Sequence, residues 1–391
     1  MPQEHTRLLT IGAGPFGLSL AAYAGELGIE NRIHGSPMSF WYEHMPEGMY
    51  LRSACDWHLD AAGVDTIEAY LDTLGLTPDD VEPLSLPSYF GYTTWFQSQR
   101  DLNPDPRMIL ALDQVDRGFA ASLEDGSKVT ADNVAVALGF RHFQHVPEEL
   151  AAILPAGRYQ HTCDLVDLAQ LSGRRCLIVG GRQSAFEWAA LLHEAGATSV
   201  DVVHRHASPT FTESDWTWVN PLVESMVDDP GWYRRLTTQQ QKDVNQRLWA
   251  EGRLKVEPWL EHRLAHESIR IHPRTNIVGC TELANRTLSV DLDDGSTLRV
   301  DDIVLATGYR PDVRRVPLLA AGNILGRLET RNHLPVLDEH FQTNLPGLFI
   351  TSMLAVQDFG PFFAFTGSVR TSTRLIGDAL VHQPGHFADA G

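Results

Sequence analysis

Gly12, Gly14 and Gly17 stand in the spacing G-x-G-x-x-G, with Ala13, Pro15 and Phe16 between them, and the apolar run Leu8-Leu9-Thr10-Ile11 leads directly into them. Glycines spaced this way between a strand and a helix suit a dinucleotide. The first permits a tight turn, the second lets backbone approach a pyrophosphate, and the third lets helix and strand pack closely, with the helix N-terminus facing the phosphate charge. An acidic residue about 20 residues on commonly holds the ribose hydroxyls, but here Arg32-Ile33 runs into His34-Gly35. His34 can still bond a hydroxyl through a ring nitrogen or cover the adenine.

A second turn follows Cys176-Leu177-Ile178-Val179. It reads Gly180-Gly181-Arg182-Gln183-Ser184-Ala185, with Arg182 where the middle glycine belongs. That side chain either crowds a pyrophosphate or, being cationic, pairs with it. At the end of the next strand, His204-Arg205-His206 puts base where the acid is expected. Such folds accommodate a 2′-phosphate in this way, so Arg205 favours NADPH over NADH.

These residues need a scaffold that brings two strand-turn-helix units into one chain. Each turn is followed by a helical pattern, Leu18 to Leu27 and Ser184 to Ala195, and the second then reaches a strand at Val200 to Val203. Two Rossmann-like α/β units are predicted. Between Trp216 and Leu264 the apolar runs of a parallel strand give way to Trp, Gln, Glu and Arg on helical spacing, which predicts a helical insert. Glu124-Asp125-Gly126 and Asp293-Asp294-Gly295 are hairpin signals, one for each unit, and the polar end near His386 reads as a frayed tail.

With 391 residues the chain has room for two or three domains, and its net charge of −19 argues against nucleic acid or an anionic membrane surface as partner. Cys55, Cys163, Cys176 and Cys280 contain no C-x-x-C pair, so neither a zinc cage nor a vicinal disulfide is expected. Cys55-Asp56-Trp57-His58 lacks the further ligands a metal needs. The first residues show no basic, apolar, cleavable leader, which predicts a cytoplasmic protein.

Taken together, Gly12 to Gly17, the junctions Ala137-Leu138-Gly139 and Ala306-Thr307-Gly308-Tyr309-Arg310-Pro311-Asp312, and His161-Thr162 upstream of Gly180 resemble the NADPH-dependent flavoprotein monooxygenases, the group of FMO-like, Baeyer-Villiger and N-hydroxylating enzymes. The resemblance covers nearly the whole chain. His161-Thr162 resembles that group's histidine-containing linker, Tyr92, Trp95 and Phe96 its Y-x-x-W-F stretch, and Asp215 to Leu264 the insert of amine N-hydroxylases. Gly347 to Ile350, with Gln357-Asp358-Phe359-Gly360-Pro361 and Gly367, is similar to the returning strand and flavin-facing helix of the family.

The resemblance implies FAD and NADPH as cofactors, and O2 and a small organic molecule as substrates. Oxygenation would pass through a C4a-(hydro)peroxyflavin in a dry pocket, with amine N-hydroxylation as first choice. It implies a first flavin-domain part over 1–160, an NADPH domain over 161–300 with the insert at about 212–264, and a second flavin-domain part over 301–391. Gly139, Gly308, Phe359 and Gly360 join the turn residues as cofactor contacts. Trp41 covers the flavin, Arg52 contacts its phosphate or ring, Phe362, Phe363 and Phe365 are candidates to line its pocket, His161 and Arg182 lie on the NADPH path, and Gln357 and Asp358 stand at the flavin edge, Asp358 as acid-base group or helix cap. The competing reading is a flavin oxidase or dehydrogenase whose second unit no longer uses NADPH because of Arg182; a flavin-bearing redox-sensing partner is the non-enzymatic one. Trp216, Trp218, Trp232, Trp249 and Trp259 in one small insert point to a homodimer contact.

Overall fold

The computed structural model describes residues 4–164 and 167–382, so the tail around His386 lies outside the described residues. Strand β1 (Glu4–Ile11) feeds helix α1 (Pro15–Glu26) and strand β2 (Asn31–His34), which pairs parallel with β1. Helices α2 (Ser39–His44) and α3 (Leu86–Gln99) follow, then an antiparallel meander of β3 (Ile109–Gln114), β4 (Phe119–Leu123) and β5 (Lys128–Val136). β1 and β5 lie side by side in parallel, and their C-terminal parts, Leu8 to Ile11 and Val134 to Val136, are the buried, mainly apolar runs.

The second unit has five parallel strands. These are β6 (Tyr159–His161), β7 (Arg175–Val179), β8 (Ser199–His204), β9 (Ile269–Pro273) and, after a three-stranded meander of β10 (Ile277–Glu282), β11 (Leu288–Leu292) and β12 (Thr297–Val300), β13 (Asp302–Leu305). Their order is β9-β8-β7-β13-β6. Helix α4 (Gln183–Glu194) crosses from β7 to β8. Between β8 and β9 lies the insert, with helices α5 (Val219–Ser225), α6 (Trp232–Arg235) and α7 (Thr238–Arg253), bracketed by the short parallel pairing of Thr210–Phe211 with Lys255–Val256. The chain then returns to the first sheet, where β14 (Leu348–Ile350) pairs with the C-terminal half of β5 and α8 (Val369–His382) packs on α1.

The expected boundary at 160/161 falls inside β6, which is short and polar with no apolar run to announce it, and that at 300/301 falls just before β13, which runs straight into the junction that the resemblance gave to the first unit. The insert packs onto the first unit, where Val219, Val223, Met226, Tyr233 and Leu248 share one buried cluster with β1 and β5. Trp216, Trp218, Trp232 and Trp259 are partly covered within the chain and Trp249 alone of the five is exposed, at 40%. Most of the aromatic surface expected to make a dimer contact is thus partly covered within the chain. Among the described residues no helix is long and apolar enough to cross a membrane.

Candidate functional site

In each main sheet the crossovers diverge to opposite sides of one strand, β1 in the first and β7 in the second, and in open α/β sheets the crevice at such a strand's C-terminal end is the usual ligand site. At the first crevice Gly12 has a φ of +106°, and a Cβ there would lie 2.4 Å from the Ala137 carbonyl oxygen. Its N–H donates to the His34 carbonyl at 2.8 Å, tying the turn to β2. A Cβ on Gly17 would lie 1.8 Å from the Gly12 oxygen, so α1 rests on the turn itself. Gly14 is different, because a Cβ there would meet nothing within 4 Å. The three glycines thus divide into two packing roles and one open position, as close approach of a pyrophosphate demands.

The N-cap residue of α1 offers no side-chain bond and its first turn has no acid, whereas α3 and α7 are capped by Ser85 and Thr237. The leading amides of α1 are therefore available to an anion. Gly139, at φ +64°, is open as well. His34 is buried and its Nδ1 faces the Arg107 carbonyl at 3.4 Å; burial lowers its pKa. It serves the first turn through its backbone carbonyl.

The second crevice repeats the arrangement. Gly180 abuts the Ala306 carbonyl as Gly12 abuts that of Ala137, with 2.5 Å to a Cβ, and its N–H donates to the Val203 carbonyl at 3.0 Å. A Cβ on Gly181 would strike the His204 ring at 2.4 Å. His204 Nδ1 bonds the His206 carbonyl at 2.9 Å, which leaves Nε2 a buried acceptor without a partner; burial, then His206, lowers its pKa to about 4. Helix α4 has Arg182 as its N-cap residue, no side-chain cap and no acid in its first turn. The Arg182 guanidinium lies over the Trp249 ring at 3.8 Å. Burial first, then Arg253 and Arg205, pushes its pKa down to about 10. Ser184 and Arg205 are exposed.

Several of the residues expected to contact a cofactor have partners within the protein. Arg52 donates to Glu257 at 2.8 Å, to the Gly252 carbonyl at 2.6 Å and to Ser214, so it clamps the insert to the first unit. Asp358 is 2% exposed, with one oxygen on Arg331 at 2.7 Å and the other on the Leu337 N–H at 2.9 Å, which makes it an anchor for the segment before β14. Gln357 bonds Asn332. Phe359 stacks on Phe341 at 3.7 Å in the core, and Gly360 makes room for the Tyr233 ring 3.0 Å from a Cβ. Gln183 accepts from the Glu257 N–H. Trp41 packs on Tyr89, Phe362 on Trp218, and Phe363 on Phe341 and Phe359, while Phe365 is half-buried. Tyr92 and Phe96 are fully buried core.

The two crossings between units run as an antiparallel ribbon, Gln144 opposite Tyr309, which single-residue motifs did not reveal. The His145 N–H donates to the Gly308 carbonyl at 2.9 Å, and the Arg310 N–H to the Phe143 carbonyl at 2.7 Å. His161 locks to this ribbon: its Nδ1 accepts from the Cys163 N–H at 3.1 Å, so the proton sits on Nε2, which donates to the Gly308 carbonyl at 3.1 Å. Tyr309 packs edge-on against the His161 ring, and Phe40 and Phe140 pack in turn on Tyr309. Sequence reasoning also missed Glu187, buried on α4, which accepts from the Tyr50 N–H at 2.9 Å; burial raises its pKa to about 8. Arg253, largely desolvated, has its guanidinium 5.7 Å from the Trp249 ring centre, and burial followed by Arg52 lowers its pKa.

Two family models, each described as pyridine nucleotide-disulphide oxidoreductase, match residues 9–246 and 243–352. A FAD-dependent urate hydroxylase from Xanthomonas campestris pv. campestris is 26% identical over 253 residues, which cover 62% of this chain and 51% of the relative. The chain thus matches about half the length of that protein. An ornithine N-hydroxylase from Kutzneria sp. 744, solved with reduced FAD, NADP+ and L-ornithine, superposes with a TM-score of 0.78 at 14% identity, over 96% of this chain and 99% of that one. An L-lysine 6-monooxygenase from Pseudomonas syringae gives 0.75 at 19% identity, over 97% and 100%. At these identities the likeness is one of fold.

Proposed function

The chain belongs to the pyridine nucleotide-disulphide oxidoreductase family, and from that premise we propose that it is a FAD-dependent, NADPH-using monooxygenase which places one oxygen atom from O2 on a small organic substrate, an amine nitrogen being the first choice. One observation carries the reading: two glycine turns, each pressed on an alanine carbonyl at a switch point and each opening an uncapped helix, sit in one chain. Two dinucleotides held by one protein suit hydride passage from one to the other. The urate, ornithine and lysine hydroxylases similar to this chain support oxygenation as the outcome.

The residues at the first crevice fit FAD, because Gly14 leaves open the space that any Cβ would occupy and the leading amides of α1 face it uncapped. FAD, when bound, supplies the two-electron carrier and the activation of dioxygen. Gly12, Gly14, Pro15, Phe16 and Gly17 would form its pyrophosphate turn, with His34 bracing that turn and Gly139 bordering it. Gly180, Gly181 and the backbone at Ser184 would take NADPH, and exposed Arg205 its 2′-phosphate. Arg52, Gln183, Asp358 and Gly360 act as positioning residues. They hold the insert and the returning segment in place. Disulfide reduction is disfavoured because burial raises every thiol above its ordinary value, those of Cys55 and Cys176 to about 12, so none is a ready thiolate at neutral pH. An acidic surface and unbonded cysteines suit a cytoplasmic, biosynthetic enzyme.

The oxidase reading has its own observation, the arginine in a glycine's place. Both readings are tested by giving the purified protein NADPH, isotopically labelled dioxygen and a panel of primary amines, thioethers and ketones. Mass spectrometry is expected to find one labelled oxygen in the product of one class, with NADPH consumed in step. Flavin reduction by the organic substrate alone, with no label in the product, overturns the proposal in favour of the oxidase.

A further inference from the structure

Three arginines meet at the second crevice from three different elements. Arg182 stands at the N-cap of α4, Arg205 just past β8, and Arg253 in the last turn of α7 in the insert. Arg182 and Arg253 share the indole of Trp249, at 3.8 and 5.7 Å. Among the described residues no carboxylate pairs with any of the three, although neighbouring cations are paired: Arg52 with Glu257, Lys255 with Glu251, and Arg263 with Glu194. In a chain with 50 acidic and 31 basic residues, three adjacent unneutralised arginines are a conspicuous exception. The cluster is costly to the empty fold, since Arg182 is desolvated and repelled by both companions. Such a cost is expected where an anionic ligand is to be met.

We infer that Arg182 and Arg253 together grip the pyrophosphate of the nicotinamide dinucleotide while Arg205 takes its 2′-phosphate, so that the insert completes the nucleotide site and Trp249 parks Arg182 until the anion arrives. This rests on the NADPH reading above and adds to it residues outside the glycine turn. The physical grounds are the uncapped N-terminus of α4, the paired glycines, and two guanidiniums with no other claim on their charge. An indole face offers a desolvated arginine only a modest resting place. A phosphate offers charge-assisted hydrogen bonds and can displace it.

The test is calorimetric binding of NADP+ and of NAD+ to the purified flavin-loaded protein. Arg182→Met and Arg253→Met are expected to weaken both nucleotides by a similar factor, about tenfold to a hundredfold, the worth of one charged hydrogen bond. Arg205→Met is expected to weaken NADP+ alone. NADP+ should also change the tryptophan emission of the wild type, and this change should be lost in Trp249→Phe. Unchanged binding in Arg253→Met overturns the role of the insert. If that variant loses its flavin, Arg182→Gly carries the test: weaker binding of both nucleotides supports the grip and tighter binding overturns it. Wild-type protein that takes up neither nucleotide overturns the NADPH reading itself, an outcome distinct from a silent Arg253→Met.

Discussion

Replacing Arg52 by methionine separates a clamp from a cofactor contact. The guanidinium makes four bonds into the insert, to Glu257, Ser214 and the Gly252 and Lys255 carbonyls, and the ion-paired side chains are only 19% and 13% exposed. Methionine keeps an apolar stem near Trp216 and removes every donor. Breaking one side of a buried ion pair costs about 3–5 kcal/mol because the remaining charge is left uncompensated, and the residual exposure here puts the expectation at the lower end, about 3 kcal/mol. That corresponds to a shift of more than about a hundredfold in the docking equilibrium of the insert. Limited proteolysis of residues 212–264 and urea unfolding read this directly, and the rate of flavin reduction at saturating NADPH is measured alongside. Faster cleavage and a lower urea midpoint, with the saturated rate nearly kept, are expected. An unchanged midpoint combined with lost flavin or lost reduction would refute the clamp and return Arg52 to the cofactor.

Other substitutions probe separate parts of the account. Gly17→Ala puts a methyl 1.8 Å from the Gly12 oxygen and must lift α1 from the turn, so a loss of about 1–3 kcal/mol and of bound FAD is expected, whereas Gly14→Ala, with open space around it, should keep its unfolding midpoint and lose only FAD affinity. Asp358→Ala leaves the buried Leu337 N–H unpaired, about 1–3 kcal/mol, and should preserve the shape of the pH–rate profile; loss of one limb would make Asp358 an acid-base group after all. Glu187 has a folded-state pKa raised by burial to about 8 from 4.5, so the stability it contributes is fully present below the lower value and is lost as pH rises to the upper one. Glu187→Gln should therefore gain on the wild type across that window, by on the order of 1.4 kcal/mol per pH unit, and hold a constant lead above it; parallel urea curves at all pH values would contradict this.

The glycine turns were legible in the sequence because their constraints are local. A tight turn, an open approach and a close helix contact fall within six residues, and the strand before and helix after them have periods that a single chain displays. The insert was legible for the same reason. What escaped notice depends on partners distant in the chain: Arg52 and Glu257 are 205 residues apart, and nothing in the spacing of Trp249 announces that Arg182 will lie on it. Asp358 and Gly360 sit in a motif that suggests a cofactor edge, yet their side of the segment faces Arg331 and Tyr233, a matter of tertiary packing. Arg182 stands out in the sequence as a departure from the glycine pattern, but that its guanidinium lies on an indole is a matter of tertiary packing. The polar edge strand at Tyr159–His161 carried too little apolar signal to mark where the second sheet begins.

The central claim is that the turn at Gly12 holds FAD and the turn at Gly180 delivers NADPH to it. Its most direct test is the visible flavin band of the purified protein during anaerobic addition of NADPH, with NADH in parallel. A yellow protein is expected, which NADPH bleaches faster than NADH does at equal low concentration and which air recolours. A protein that takes up no FAD, or whose bound flavin stays oxidised with excess NADPH, would contradict it.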